Sequence, residues 1–174
     1  MTTLGGAPAS AHESLWPLTD LAASRVQIAD KVAAAKFGTA QLIADPVREQ
    51  QILDTLAAKS LTLGLDPGAT RRFFLAQIEA NKVVQRGLFA RWTVHPEDQP
   101  TTRPDLATEV RPVLDQIDAG LLDQLAATPS ARAGRDCDLL LAVAVHVIGW
   151  QRHLDVLHER ALAESVRPVC TSPR

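Results

Sequence analysis

Apolar residues recur in steps of three and four from Leu15 onward. Leu18, Leu21, Ala22, Val26, Ile28, Ala29, Val32, Ala33 and Phe37 follow the 3.6-residue period of a helix over many turns. That period predicts one long first helix, Leu15 to about Ala44. Asp45-Pro46 breaks the run, with Pro46 suited to a first helical turn, and a second helix extends to Gly64. Asp66-Pro67-Gly68 marks the next turn. ATRRFFLAQIEANKVVQRGLFARW, from Ala69 to Trp92, predicts a third helix without proline. HPEDQPTTRPD, residues 95–105, holds three prolines and reads as a linker. Beyond it the pattern predicts a helix over Leu106 to Ala127, a polar loop TPSARAGRD, and a helical region from Cys137 to Ser165 that Gly149 bends or divides. The expectation is an all-α bundle of about five to six helices, a C-terminal helical pair packed on a three-helix core. Residues 15–170 would form one domain: a core over 15–94, the linker 95–105, and C-terminal helices over 106–170.

Composition narrows the function classes. A chain of 174 residues is long enough for one domain that buries roughly 70% of its unfolded surface. It is 46% hydrophobic, with three Trp, four Phe and no Tyr, which suits packed helices rather than sheets. A net charge of -2 and few aromatics argue against nucleic acid as a partner. The apolar run LLLAVAVHVIGW from Leu139 is too short to span a bilayer, so no membrane partner is expected.

Residues 1–14 are expected to be a flexible tail with no intact signal peptide. Ala9-Ser10-Ala11 has the small-residue pattern of a signal cleavage site, which leaves open either a signal-peptide remnant or an ordinary tail. Cys137 and Cys170 permit one disulfide, and with it an oxidising compartment, or two buried thiols.

Candidate chemistry begins with cations. Arg25 and Lys36 are eleven residues apart, hence about 20° from the same angular position and about 16 Å apart along a helix axis. They share a face, and long side chains converge from that spacing on a small ligand. Arg48 follows the Asp-Pro turn. Asn81 and Gln85, at i and i+4, point two amides one way, able to donate and accept hydrogen bonds without titrating. His146, His153 and His158 lack a third ligand at matching spacing and read as core or surface histidines, so no metal is expected. No nucleophile has a convincing base partner, and no glycine-rich phosphate loop occurs.

RVQIADKVAAAKF, ADPVREQQ and AQIEANKVVQRGLFARW together resemble the all-helical chorismate mutases. PDL at Pro104, RHLDVLHERAL at Arg152 and the cysteine pair extend the likeness to the secreted (gamma) subclass. The resemblance implies an isomerase that converts chorismate to prephenate by a Claisen rearrangement, with no cofactor and chorismate as its small-molecule partner. It implies carboxylate binding by Arg25 and Arg48, and hydrogen bonds to the substrate's ether oxygen from Lys36 and Gln85. Asp45 and Glu49 would lie near the substrate hydroxyl, and Asn81 beside a carboxylate. It further implies a Cys137–Cys170 disulfide, a periplasmic or secreted location, and a homodimer with each site inside one chain.

One departure stands out. The family completes its site with an arginine from the helix after the linker, and the nearest match here falls at Ala119 or Gly120. Either Arg111, Arg132 or Arg135 replaces it, with the loop residues Arg132 and Arg135 favoured for their adaptable reach, or the site binds weakly. The alternative function is therefore a catalytically weakened relative that binds or regulates.

Overall fold

The computed structural model describes residues 13–171, so Ala9-Ser10-Ala11 and most of the expected tail lie outside the described residues. Among the described residues every regular element is helical, so the chain is all-α. The expected first helix is shorter and interrupted: α1 (Trp16–Gln27) and α2 (Ala29–Lys36) meet at Ile28. Ile28 keeps helical angles, and its N–H still bonds the Ser24 carbonyl at 3.0 Å. The helix ends at Lys36 rather than Ala44 because Phe37 turns to ψ 130° and Gly38 takes φ +70°. That left-handed conformation suits glycine. The Arg103 guanidinium then holds the Phe37 carbonyl.

α3 (Pro46–Thr62) starts from a reciprocal cap. Asp45 Oδ1 accepts the Arg48 N–H at 3.1 Å, while Glu49 Oε1 accepts the Asp45 N–H at 3.0 Å. α4 (Pro67–Val94), capped by Asp66, has 28 residues. At 1.5 Å per residue it runs about 42 Å and forms the spine of the bundle. After a 3-10 turn at Pro96–Asp98, a single π-helical turn at Leu106–Val110 leads into α5 (Arg111–Ala127). The expected loop 128–136 contains a short helix, α6 (Pro129–Ala133).

α7 (Cys137–Gln151) and α8 (Val156–Val166) divide the last region after Gly149 rather than at it. The break follows Gln151: His153 takes φ +52°, and the Leu154 N–H returns to the Gly149 carbonyl at 2.9 Å.

α8 lies along α4 and α1, while α5 packs on α1. Phe73, Phe74 and Val84 of α4 meet Leu18, Ala22 and Val26 of α1 and Leu162 of α8 in one core. Gly87 permits the close approach of α8, since a Cβ there would lie 2.5 Å from Leu157.

Cys137 and Cys170 are disulfide-bonded, tying the start of α7 to the chain beyond α8. Replacing both by serine is expected to cost about 2 to 4 kcal/mol by releasing the unfolded chain. Urea unfolding of the pair mutant against the parent checks this, and coincident midpoints would show that the bridge contributes nothing.

His158 fastens α2 to α8. Its Nε2 meets Asp30 Oδ1 at 2.7 Å and its Nδ1 meets Asp155 Oδ1 at 2.6 Å. The Asp30 hydrogen bond leads in raising its pKa from 6.5 to about 9, against the opposing effect of burial. A raised folded-state pKa stabilises fully below the unfolded value of 6.5, and that contribution is lost as pH rises through about 9. Both carboxylates are half in solvent, so about 1 to 2 kcal/mol is expected after discounting for screening. Stability of the parent should therefore fall more between pH 6.5 and 9.5 than that of His158→Gln; parallel pH profiles would exclude the clamp.

Candidate active site

The sequence-predicted residues gather around one cleft. A cavity of about 440 Å³ is lined by Arg25 of α1, Lys36 at the end of α2, Asp45 and Arg48 at the start of α3, and Arg111 of α5. An adjoining pocket of about 120 Å³ shares Arg25, Lys36, Asp45 and Arg48 and adds Glu49, Asn81, Lys82 and Gln85. Val32, Ile52 and Leu114 supply apolar wall to both. The reason for convergence is local. Phe37 and Gly38 end α2, the short 37–45 segment reverses the chain, and the Asp45 cap starts α3 with Arg48 in its first turn.

Arg25 is 4% exposed. Its Nε donates to Asp118 Oδ1 at 2.7 Å and its Nη1 to the Gln77 carbonyl at 3.0 Å. Lys36 Nζ donates to the carbonyls of Leu42 and Ile43 at 2.9 and 3.0 Å, bracing the 37–45 segment at the cleft. An ammonium has three N–H donors, so one remains for an occupant. Burial pushes the Lys36 pKa below its ordinary value, Asp45 and Glu49 oppose the shift, and Arg111 and Lys82 add to it.

The amides form a chain. Gln85 Nε2 donates to Asn81 Oδ1 at 2.7 Å, and Asn81 Nδ2 donates to the Arg25 carbonyl at 3.4 Å. Gln85 Oε1 is buried without a partner, and Nε2 has a second hydrogen, so this side chain offers an occupant both an acceptor and a donor. Glu49 is committed to the α3 cap and to Lys82 Nζ at 3.0 Å. Burial draws the Lys82 pKa down, but the hydrogen bonds it donates to Glu79 and Glu49 carry it above its ordinary value.

Four cations besides Lys82, which is paired with Glu49 and Glu79, together with apolar walls and the donor amide of Gln85, suit a small dianion bearing an apolar framework. The family described as "Chorismate mutase type II" matches residues 17–86. The chain is 33% identical to the secreted chorismate mutase of Mycolicibacterium smegmatis over 156 residues, covering 90% of this chain and 86% of that protein. The chain belongs to the chorismate mutase family. It is also 32% identical to the secreted chorismate mutase of Mycobacterium tuberculosis, over 94% of this chain and 82% of that one. The crystal structure of chorismate mutase from Burkholderia phymatum superposes with a TM-score of 0.88 at 34% identity, covering 94% of this chain and all of that one.

Of the three arginines weighed as replacements for the family's missing one, Arg111 lines the cleft, whereas the favoured Arg132 and Arg135 do not. Arg132 is occupied elsewhere, with Nε bonded to the Val169 carbonyl and Nη1 to the Leu125 carbonyl at 3.1 and 2.8 Å. Arg135 is exposed and lines neither part of the cleft. Sequence reasoning also missed Asp115, Asp118 and Lys82. A signal existed on α5, since Arg111, Asp115 and Asp118 stand at i, i+4 and i+7 on one face. Of the histidines, His158 serves the fold, and His146 is exposed beside Glu159.

Proposed function

We propose that the protein converts chorismate to prephenate within this cleft, and that Arg25, Lys36, Arg48 and Arg111 are its cations. The observation that carries the reading is their convergence, from four different helices, on one cavity, with Arg25, Lys36 and Arg48 also lining the adjoining pocket that holds Gln85. Chorismate carries two carboxylates, and its rearrangement breaks a carbon–oxygen bond while forming a carbon–carbon bond within the same molecule. No proton is transferred and no group leaves. The residues therefore act by neutralising the carboxylates, holding the enolpyruvyl arm over the ring in the diaxial conformer, and stabilising negative charge that grows on the ether oxygen.

Arg25, Arg48 and Arg111 would bind carboxylates. Lys36 and Gln85 would donate to the ether oxygen more strongly in the transition state than in the ground state. Asp45 and Glu49 would stand near the substrate hydroxyl and Asn81 beside a carboxylate. The weakened-relative reading rested on an absent arginine, and Arg111 at the cleft wall would supply that charge. Following chorismate loss by ultraviolet absorbance tests the reaction; no loss above the uncatalysed rate at high protein concentration would exclude it.

The same reading takes residues 15–170 as one mutase domain, exported to the periplasm or beyond. The disulfide and the secreted relatives support export. A homodimer is consistent with the apolar side chains that α7 leaves exposed, Leu139, Val143 and Trp150.

A further inference from the structure

We propose that Asp118 is the positioning residue for Arg25, fixing which edge of the guanidinium faces the substrate. The inference rests on the proposed reaction. Arg25 and Asp118 come from α1 and α5, 93 residues apart, and both are buried at the wall of the cleft. A buried carboxylate beside a site for a dianion opposes binding unless it does something else. Here it accepts Nε–H at 2.7 Å, while the Gln77 carbonyl accepts from Nη1 at 3.0 Å. A guanidinium is planar, so two fixed nitrogens fix the plane. The remaining donors, centred on Nη2, then point in one direction before any ligand arrives. Without Asp118 the same cation would keep its charge and lose its aim, which matters because carboxylate recognition by arginine depends on the alignment of its fork. Asp118 also offsets the charge of a buried cation when the cleft is empty.

The test measures kcat and KM for chorismate in Asp118→Ala, Asp118→Asn and Asp118→Glu, at a temperature where circular dichroism shows each variant folded. Asp118→Ala is expected to raise KM about tenfold or more, with a smaller change in kcat. Asp118→Asn, whose amide oxygen still accepts from Nε, should stay within about threefold of the parent in kcat/KM. Asp118→Glu keeps the charge but displaces the acceptor by one methylene, and should resemble the alanine variant. In an Arg25→Ala background Asp118→Ala should change kcat/KM by less than about threefold, because the positioned group is gone. A purely structural role would lower the melting temperature of the Asp118 variants and leave their kinetic constants at the parent values, which would overturn the proposal. A tenfold loss that persists without Arg25 would overturn it too. If Asp118→Ala does not fold, the glutamate and asparagine variants decide: glutamate kinetics equal to the parent's overturn the proposal. An inactive parent protein would instead refute the reaction itself, whereas an active parent with indifferent Asp118 variants refutes only this role.

Discussion

Lys36→Ala is expected to lower kcat by roughly a hundred- to a thousandfold, on the order of 3 to 4 kcal/mol in the barrier. In the proposed role the effect should fall mainly on turnover, because the ammonium's contact would strengthen as the ether oxygen gains charge. A second consequence comes from the loop. Two of the three Nζ donors hold the carbonyls of Leu42 and Ile43, so alanine also releases the 37–45 segment and KM should rise by a smaller factor. The pH profile separates the two contributions. Burial leads in lowering the Lys36 pKa, so kcat/KM of the parent should decline with rising pH before an ordinary lysine would titrate. Lys36→Ala should lack that decline. A Lys36→Ala enzyme with parental kcat would remove Lys36 from the chemistry, leaving it only a brace for the loop.

The parts of the fold written in local chemistry were legible. Asp45-Pro46 marked the start of α3, and Asp66-Pro67, read as a turn, proves to be the cap and first-turn proline of α4, two residues before the expected start at Ala69. The end of α2 was misread because alanine-rich sequence continues helical spacing up to Gly38, where one left-handed residue ends the helix whatever the periodicity beyond it. Arg111 was set aside for a related reason. A straight helix beginning at Leu106 assigns Arg111 one phase, but the π-helical turn at Leu106–Val110 winds more residues into a turn and rotates everything after it. No residue type announces that turn. The site cations on α1 to α3 were legible since they lie within 24 residues of sequence, from Arg25 to Arg48. Asp118 was not, because its meaning depends on a contact across 93 residues, which helical periodicity does not encode.

Gln85→Glu should turn a flat pH profile into a steep one. In the proposed role the parent's amide would donate to the ether oxygen at any pH, so activity should vary little across the mildly acidic to neutral range. The variant has a donor only while its carboxyl is protonated. Burial at this position, where Gln85 is 3% exposed, favours the neutral acid, and the nearby Lys36 and Lys82 favour the carboxylate. Either way the sign is fixed: activity falls as pH rises through the pKa of the new group. Even the protonated form should fall short of the parent. An amide nitrogen has two hydrogens, one for Asn81 Oδ1 and one for the substrate, whereas a carboxylic acid has a single hydrogen that must choose. Gln85→Leu sets the reference with no donor and no charge. On the acidic limb Gln85→Glu should exceed it, and on the alkaline limb it should drop below it by about tenfold or more, because a carboxylate repels the charge that the transition state develops. Two curves that never cross would mean that Gln85 does not face the breaking bond, and the charge on the ether oxygen would be left to Lys36 alone.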